Sequence, residues 1–549
     1  MRSEGPLGRF NSDTGALTMT QLAILQGSDT TLRGKWWMRS LFLAILVAGF
    51  LYVVFHLAGD LGGVRFFSVF PFVLLGIALL IALGFEFVNG FHDTANAVAT
   101  VIYTHSLKPN IAVIWSGLWN FLGVLVSSGA VAFGIVSLLP VELILQVGSH
   151  AGFAMVFALL LSAMIWNLGT WSFGLPSSSS HTLIGSIIGV GLANQLLFGA
   201  SRTSGVDWSQ AANIGKSLLF SPVIGFALAA ILLLLAKWLV RLPSLYRAPE
   251  GHQPPPVWIR GLLILTCTGV SFAHGSNDGQ KGMGLIMLIL IGTVPTAYAL
   301  NHAVGETGMA NFMAISQRTL TALEPHRAPG PDLQSSSDPR ALLTQALQAH
   351  ATTPATVGGL HQVIDDIAQS VATYKSLASV SSEQVQNVRN DMYLAGETLR
   401  LFAQQQDLGF TPYEQEVLKQ YKAHLDKATK FIPIWVKVAV AIALGMGTMI
   451  GWKRIVITVG EKIGKQHLTY AQGASAELVA MSTIGAADIF GLPVSTTHVL
   501  SSGVAGTMVA NRSGLQWGTI RNLLLAWVLT FPVSIALSGS LFWLLRQLL

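Results

Sequence analysis

Charged residues are scarce in this chain of 549 residues. Asp, Glu, Lys and Arg make up 11% of the sequence, whereas hydrophobic residues make up 52%; an ordinary soluble domain carries roughly 25% charged residues. This composition excludes a string of soluble domains and predicts a polytopic membrane protein. Cysteine is nearly absent as well: Cys267 is the single one, which excludes a disulfide framework and a cysteine-based metal cluster.

Concentrated positive charge is also missing, although the net charge is +6. Lys and Arg are scattered between apolar runs and form no basic stripe, so nucleic-acid binding is not expected. In a membrane protein, such residues mark the loops that face the cytoplasm. The basic loops lie at 237–260, 453–465 and 512–521, whereas the loop 139–150 has no Lys or Arg.

Apolar runs account for most of the chain. The first, Leu41–Ala58, follows a basic N-terminal stretch and is interpreted as an uncleaved helix rather than a secretory signal, because no convincing cleavage site follows it. The runs at 69–103 and 258–300 exceed one crossing but contain polar interruptions, so each is predicted to be one broken crossing. The other runs lie at 111–138, 151–172, 182–199, 217–240, 432–452, 472–490, 493–511 and 519–548.

One crossing per run makes eleven crossings and places the three basic loops and the basic N-terminus on one side, which agrees with the positive-inside pattern. The expected fold is all-α, with one extra N-terminal helix followed by two repeats of about five transmembrane helices. An odd number of crossings per repeat inverts the second repeat relative to the first, as in many transporters, where broken helices and helix N-termini meet at the midplane.

Two pairs of motifs indicate the internal repeat. Gly174–His181 (GLPSSSSH) returns 317 residues later as Gly491–His498 (GLPVSTTH), and Phe87–Asp93 (FVNGFHD) resembles Phe272–Asp278 (FAHGSND) at an offset of 185. The unequal offsets predict an insertion in the second copy, and a polar block at 305–431 supplies it. The expected divisions are an N-terminal extension with one helix at 1–67, a first repeat at 68–240, a cytoplasmic linker at 241–257, the start of the second repeat at 258–304, the insertion at 305–431 and the rest of the second repeat at 432–549.

The polar block is predicted to be a small helical domain outside the membrane, on the periplasmic side by the same crossing count. It opens with a Pro/Ser/Asp-rich linker around 325–339. Helical spacing of apolar residues follows at 364–374, 388–402 and 413–425. No catalytic pattern is present in it, and we interpret it as a spacer or stabilising cap rather than a regulatory or ligand-capturing domain.

Polar side chains inside apolar runs are costly and usually mark an ion or substrate pathway. In the first repeat Asn89, Asp93 and Asn96 share one helical face, and Gly90 allows the chain to unwind there. The second repeat has the same pattern around Gly275 and Gly279, with the polar residues His274, Asn277, Asp278 and Lys281. Interhelical hydrogen bonding is the alternative role, but two matching Asp-containing interruptions argue against it. The candidates for cation or proton binding are Asp93, Asp278, Asn89, His92 and Glu477.

Both Ser/Thr clusters follow a proline and precede an apolar helix, which predicts two helix N-termini. Backbone N–H groups, the helix dipole and the hydroxyls can all donate to an anion there. Two such ends facing each other would form a cage of neutral donors for a tetrahedral oxyanion; plain capping of two helices is the alternative. His181 and His498 are either proton carriers or residues that orient the turns. The remaining polar residues of the apolar runs belong either to the pathway or to interhelical contacts: Glu477, Asp488, Asn120 and Asn167.

Together these motifs resemble the signatures of the PiT family of inorganic phosphate transporters, in particular its bacterial low-affinity, proton-coupled members. The signatures are Asn89–Thr100, Ala273–Gly282 and Gly491–His498, and the resemblance covers roughly 69–303 and 432–549. Many members have Asn where this chain has His92, so a cation contact from that Asn is not carried over. The resemblance implies that Asp93, Asn96, Asn277 and Asp278 lie near the cation or the phosphate, and that Ser178, Ser179, Ser180, Ser495, Thr496 and Thr497 bind phosphate. Thr182, at the same helix start, is added as a further hydroxyl candidate.

The resulting hypothesis is a secondary active transporter that imports inorganic phosphate, or a neutral divalent-metal–phosphate complex, by proton symport with alternating access. Sodium-coupled phosphate symport, symport of sulfate or another oxyanion, and an oxyanion channel or sensor are the alternatives. No enzyme is expected, because neither a Gly-x-Ser-x-Gly nor a His-Glu-x-x-His motif is present.

No cofactor is expected beyond a co-transported proton or Na⁺, with Mg²⁺ or another divalent cation complexed to the phosphate. The expected partners are phosphate, the coupling cation and the lipid bilayer, with no nucleic acid, and a homodimer is one assembly to test. The expected location is the bacterial inner membrane, as a multi-pass protein.

Overall fold

The computed structural model describes residues 32–62, 69–93, 95–145, 148–199, 203, 205–251, 253–327, 338–405 and 408–549. The described residues contain no β-sheet, only an isolated bridge between Gly464 and Leu515, so the all-α prediction is confirmed. The chain divides into two compact units, 1–48 and 49–549. Residues 1–31 of the predicted N-terminal extension, and residues 328–337 of the predicted linker, lie outside the described residues.

The α-helices are, in chain order, α1 (Leu32–Leu61), α2 (Phe70–Asp93), α3 (Ala95–Tyr103), α4 (Pro109–Val126), α5 (Ala130–Val136), α6 (Val141–Leu145), α7 (His150–Ser172), α8 (Ser179–Phe198), α9 (Trp208–Leu239), α10 (Val257–Thr293), α11 (Pro295–Tyr298), α12 (Glu306–Leu323), α13 (Pro339–Ala349), α14 (Pro354–Val371), α15 (Val385–Gln404), α16 (Pro412–Thr429), α17 (Ile434–Thr448), α18 (Lys453–Ile457), α19 (Tyr470–Ile489), α20 (Thr496–Ala510) and α21 (Trp517–Leu548).

Eight spans in the described part of the chain are long and apolar enough to cross a membrane. They are Met38–Leu61 within α1, α2 together with α3, α4, α7, α8, α9, α10 and α21. A ninth results if α16 and α17, which are bent by 73° relative to each other, count as one span. The chain is therefore a multi-pass membrane protein, but by length and composition the count is eight or nine rather than the predicted eleven.

Three helices of the second repeat explain most of this difference. α17 and α20 have 15 residues each, about 22 Å at 1.5 Å per residue, whereas the hydrocarbon core is about 30 Å thick. α19 has 20 residues but carries Glu477 and Asp488 among Gly, Ala and Ser. Residues 496–508 of α20 are all buried, so this helix contacts protein instead of lipid and needs neither the length nor the apolarity of a lipid-facing span.

The apolar run 258–300 was predicted to be broken at its polar residues, and this prediction is wrong. α10 is a single helix of 37 residues that continues through Gly275 and Gly279. These glycines lie at close helix contacts: a Cβ at Gly275 would come within 2.2 Å of the Asn120 carbonyl oxygen, and one at Gly279 within 2.6 Å of the Val124 side chain. In the first repeat the helix likewise continues through Gly90 as far as Asp93, and residue 94, between α2 and α3, lies outside the described residues.

Glycine contacts also show that the repeats pack into each other. A Cβ at Gly90 on α2 would lie 2.2 Å from the Leu444 carbonyl oxygen on α17. A Cβ at Gly275 on α10 would lie equally close to the Asn120 carbonyl oxygen on α4. The partner helix α17 also has a glycine at this contact, since a Cβ at Gly447 would lie 2.1 Å from the Phe87 carbonyl oxygen on α2. Each motif helix therefore packs backbone to backbone against a helix of the other repeat, which brings the two motifs together at the centre.

The insertion folds into α12–α16, and its apolar faces are buried in a common core. The block is joined to the first repeat by an ion pair: the Arg400 guanidinium of α15 lies 2.7 Å from the carboxylate of Asp207, the residue that caps α9. Glu397 pairs with the same guanidinium at 2.7 Å.

Candidate functional site

The two Ser/Thr turns have the same backbone geometry. Gly174 and Gly491 adopt left-handed φ angles of 66° and 65°, which favour glycine. Ser178 then caps α8 and Ser495 caps α20, because each hydroxyl accepts a hydrogen bond from the backbone N–H three residues on. The two helices therefore begin where the sequence predicts them.

The two helix starts lie against each other. Ser180 of the first turn donates to the Val494 carbonyl oxygen of the second at 2.7 Å. The rings of His181 and His498 lie 4.6 Å apart. His181 Nδ1 contacts its own capping Ser178 at 2.9 Å, and the His498 ring stacks on Trp527.

Asp93, at the end of α2, receives hydrogen bonds from both helix starts. Ser179 on α8 donates to Asp93 Oδ2 at 2.5 Å, and Thr497 on α20 donates to Asp93 Oδ1 at 2.9 Å. His92 Nδ1 lies 2.8 Å from the same Oδ1. One buried carboxylate thus joins α2 of the first repeat to both Ser/Thr turns.

Asp278, in the middle of α10, is the second carboxylate of the site. Its Oδ2 lies 2.7 Å from Lys281 Nζ, 3.3 Å from His274 Nε2 and 3.5 Å from Ser179 Oγ. His274 is oriented from its other nitrogen, since Nδ1 lies 2.7 Å from Asn120 Oδ1 on α4. Ser179 therefore bridges the two repeats by contacting both carboxylates.

Ligand atoms of Asp93, His274 and Asp278 lie within 4.8 Å of one another, and all three residues are buried. Two carboxylates and an imidazole suit a small cation or a divalent metal ion. A neutral hydroxyl set lies directly beside them, so the arrangement can accommodate a cation and an oxyanion side by side.

The remaining hydroxyl candidates differ in how they are used. Ser180 donates to Val494, and Thr182 donates at 3.0 Å to Asn167 Oδ1 and at 2.9 Å to the Ser178 carbonyl oxygen. By contrast, Thr496 is buried, and its Oγ1 has no hydrogen-bond partner among the described residues. Thr496 is therefore better placed than Thr182 to contact a ligand.

Asn277 and Asn89 lie near the site but bind protein groups. Asn277 Nδ2 donates to the Leu492 carbonyl oxygen of the second turn at 3.1 Å. Asn89 lies 3.5 Å from Glu86, whose other carboxylate oxygen accepts the Gly282 amide of α10 at 2.7 Å. The side chain of Asn96 lies outside the described residues.

Glu477 is not part of this group. It accepts a 2.5 Å hydrogen bond from Thr266, which lies twelve residues before Asp278 on α10, about 18 Å away along the helix axis. Asp488, on the same helix as Glu477, binds Ser276 at 2.5 Å and Gln280 at 2.6 Å.

The sequence that builds this site matches a known family. The model described as "Phosphate transporter family" matches residues 89–538, which include both Ser/Thr turns and both carboxylates. The chain belongs to the phosphate transporter family.

Two relatives within the phosphate transporter family align with this chain over nearly their whole length. The chain is 43% identical to PitA, a low-affinity inorganic phosphate transporter of Escherichia coli (strain K12), over 87% of this chain and 97% of PitA. It is 42% identical to PitB of the same strain, over 88% of this chain and 98% of PitB. A solved structure described as "The sodium-dependent phosphate transporter" aligns with 87% of this chain and 100% of its own, with 19% identity and a TM-score of 0.47.

His274 and Lys281 were noted in the sequence among the polar residues of the second repeat, but neither was selected as a binding candidate. The structure places both beside Asp278, and the closer of the two is Lys281. Its side chain is fully buried, and its ammonium contacts both Asp278 and Ser179, the latter at 3.2 Å. The signal was available, because a lysine inside an apolar run is unusual. What the sequence did not reveal is that this lysine points into the cluster instead of along the helix surface.

Proposed function

We propose that this chain is a secondary active transporter of inorganic phosphate, with protons as the coupling ion. The observation that carries the proposal is the pair of helix N-termini that meet at the Asp93 carboxylate through Ser179 and Thr497. Relatives named as low-affinity inorganic phosphate transporters support phosphate as the substrate.

The oxyanion site is formed by the starts of α8 and α20. Free backbone N–H groups and hydroxyls at helix N-termini bind tetrahedral anions without a fixed positive charge. The donors that would turn towards the anion are the Thr496 hydroxyl, which has no partner among the described residues, and the hydroxyls of Ser179 and Thr497.

Asp93 links phosphate binding to proton binding. Each hydroxyl has one hydrogen to donate, and those of Ser179 and Thr497 are donated to Asp93. An anionic phosphate beside an ionised Asp93 would compete for these hydrogens and would also be repelled by the carboxylate. When a proton binds Asp93, both hydroxyls can donate to phosphate. Proton and phosphate therefore bind together, as symport requires.

Compensation of charge is needed because phosphate near neutral pH carries one to two negative charges, which are costly to move through an apolar region. A proton on Asp93 lowers this cost. A divalent metal bound to the phosphate would lower it further. The cluster of Asp93, His274 and Asp278 supports this proposal, because two carboxylates and an imidazole can bind such a metal. Sodium in the same place is the rival coupling ion.

We further propose that the chain resides in the bacterial inner membrane and is not an enzyme. Alternating access then occurs around the interlocked contact of the two repeats, whose inversion remains a prediction.

The test is uptake of radiolabelled phosphate by purified protein in liposomes under an inward proton gradient, with and without sodium and magnesium. Proton-driven accumulation, increased by magnesium and unaffected by excess sulfate, is the expected result. Uptake driven by sodium alone would refute proton coupling. Uptake of sulfate but not of phosphate would refute the substrate, and downhill flux without accumulation would favour a channel. Empty liposomes and the Asp278→Asn protein are the controls.

A further inference from the structure

The repeat relates Asp278 to Asp93, and the same offset of 185 relates Lys281 to Asn96. The two repeats thus place different residues three positions after the same carboxylate: a neutral amide in the first and an ammonium in the second. Lys281 is fully buried, with Nζ 2.7 Å from Asp278 Oδ2 and 3.2 Å from Ser179 Oγ. Ser179 in turn donates to Asp93 at 2.5 Å.

The Lys281 ammonium therefore has the surroundings of a bound monovalent cation. A carboxylate oxygen and a hydroxyl oxygen are its ligands, and the second carboxylate lies one hydroxyl away. A carboxylate buried in a membrane protein needs such a compensating charge. Among the described residues, the other titratable groups around Lys281 are His274 on the same helix, Asp93 and Glu86 on α2, and His181 on α8.

We propose that Lys281 is a tethered cation that takes the place of a co-transported sodium ion beside Asp278, so that the carrier needs no sodium. This inference rests on the proposed function, since it concerns which ion drives phosphate uptake. A tethered ammonium remains with the protein during the transport cycle. The transported positive charge must then come from a site other than Asp278.

The test is the Lys281→Gln variant of the full chain in liposomes. Wild-type uptake is expected to be equal in sodium and in choline. In choline, the uptake rate of the variant is expected to be at least about tenfold below that of the wild type, because one partner of a buried ion pair is removed. Adding sodium is expected to restore the uptake rate, which should saturate as the sodium concentration rises. Lys281→Arg, which keeps the charge, is expected to remain indifferent to sodium. Lys437→Gln is the matched control, since this half-buried lysine on α17 donates to the Ser127 carbonyl oxygen and has no other partner in the described part of the chain.

A second readout does not depend on transport. Sodium is expected to raise the melting temperature of detergent-solubilised Lys281→Gln but not that of the wild type, because only the variant has an open cation site. A variant that transports normally in choline, or one that gains no stability from sodium while phosphate still stabilises it, would overturn the role of Lys281 and leave phosphate transport standing. Absence of phosphate uptake by the wild type would instead refute the proposed function.

A separate observation concerns Arg389 in the insertion. This residue is 5% exposed, its Nη1 donates to Asn390 at 3.1 Å, and its guanidinium lies over the Tyr393 ring at 5.0 Å. Its Nε has no hydrogen-bond partner, and no carboxylate pairs with it, among the described residues. The other arginine of α15, the half-buried Arg400, has two carboxylate partners. A buried guanidinium without a counter-charge is costly unless an anion joins it.

Arg389 lines a cavity between α15 and the helices α5 and α10 of the two repeats. The walls include Phe133, Ser137, Gly284, Met287, Thr429 and Lys430. Lys430, whose ammonium lies 2.8 Å from Asp426 Oδ1, also lines the cavity, as does Glu397, which is paired with Arg400. Met287 is six residues beyond Lys281, about 9 Å along α10.

We infer that this cavity binds an oxyanion of the phosphate class, next to the transport site and supplied either as free phosphate or as a lipid headgroup. The test compares Arg389→Met and Arg389→Lys with the exposed control Arg327→Met. Equilibrium binding of radiolabelled phosphate to purified full-length protein measures free phosphate, and phosphorus retained through purification measures lipid.

Arg389→Met is expected to bind one equivalent less per protein molecule than the wild type and Arg327→Met. The missing equivalent is either phosphate or lipid phosphorus. Arg389→Lys is expected to bind it at least about tenfold more weakly, because a bidentate fork is lost. Equal phosphate stoichiometry and equal retained phosphorus in all four proteins would overturn the inference. Asp278→Asn is expected to retain this extra equivalent even when its transport is lost.

Discussion

Ser179 donates its hydroxyl hydrogen to Asp93 at 2.5 Å and also lies 3.5 Å from Asp278. One hydroxyl at the start of α8 thus contacts the corresponding carboxylates of both repeats. Because a hydroxyl can donate only one hydrogen, its direction depends on which neighbour is negatively charged. In the proposed mechanism, Ser179 therefore responds to the proton, to the Lys281 ammonium and to the phosphate.

Ser179→Ala tests this point. The substitution removes one donor from Asp93 and one from the proposed phosphate, and we expect phosphate uptake at low phosphate concentration to fall at least about tenfold, the loss typical of a hydrogen bond to a charged group. Uptake kinetics in liposomes measure the change. Ser186→Ala is the control on the same helix, since Ser186 donates to the Thr182 carbonyl oxygen away from the carboxylates. Equal losses in both variants would contradict a specific role for Ser179.

Asp278→Asn is expected to abolish phosphate accumulation while the protein remains in the membrane. The amide cannot compensate Lys281, so an unpaired ammonium is left buried beside the phosphate site. Uptake and membrane content are measured together. Asp365→Asn, in the insertion, is expected to transport as the wild type does. Wild-type accumulation by Asp278→Asn would remove Asp278 from the mechanism.

Gly90→Ala tests the interlocked packing of the repeats. The added Cβ would lie 2.2 Å from the Leu444 carbonyl oxygen, which belongs to backbone and cannot rotate away. We expect a loss of about 1–3 kcal/mol, typical of overpacking, seen as a lower melting temperature in detergent. Gly76→Ala on the same helix has no atom within 4 Å of the new Cβ and should be neutral or slightly stabilising. Equal melting temperatures for the two variants would argue against the close contact of α2 and α17.

The attachment of the insertion is expected to depend on pH. Burial would raise the pKa of the Asp207 carboxyl, but the Arg400 guanidinium, the Gln210 amide and the Ser209 hydroxyl outweigh it and hold the pKa below its ordinary value. A lowered folded-state pKa means that the pair stabilises fully above the unfolded value of about 4, and that this contribution is lost as the pH falls through the folded-state value.

Hydrogen exchange of α15, corrected for the intrinsic pH dependence, measures this attachment. Protection in the wild type should fall only below about pH 4, whereas Arg400→Met should lack that part of the protection at every pH. Arg327→Met removes an exposed pair with Glu324 and should behave as the wild type. Unchanged protection in Arg400→Met would show that other contacts hold the block.

Several features of the fold could be predicted because they depend on neighbouring residues. Ser178 and Ser495 cap helices through hydrogen bonds to residues only three positions further along the chain. A Pro followed by hydroxyl residues was therefore a sufficient signal. By contrast, the glycines at 275 and 279 were predicted to interrupt a helix, and they serve close contacts with α4 instead. The sequence does not distinguish these uses, because the partner of Gly275 is Asn120, far away in the chain.

The sequence by itself determined the membrane class, the internal repeat, the two helix starts and the family, because composition, spacing and motifs are local properties of the chain. Only the tertiary structure decided that Asp93 accepts hydrogen bonds from both Ser/Thr turns, that Lys281 points at Asp278 and that Glu477 lies apart. Those contacts join residues up to 404 positions apart. They depend on how α2, α8, α10 and α20 pack, and packing is set by the whole set of helices at once.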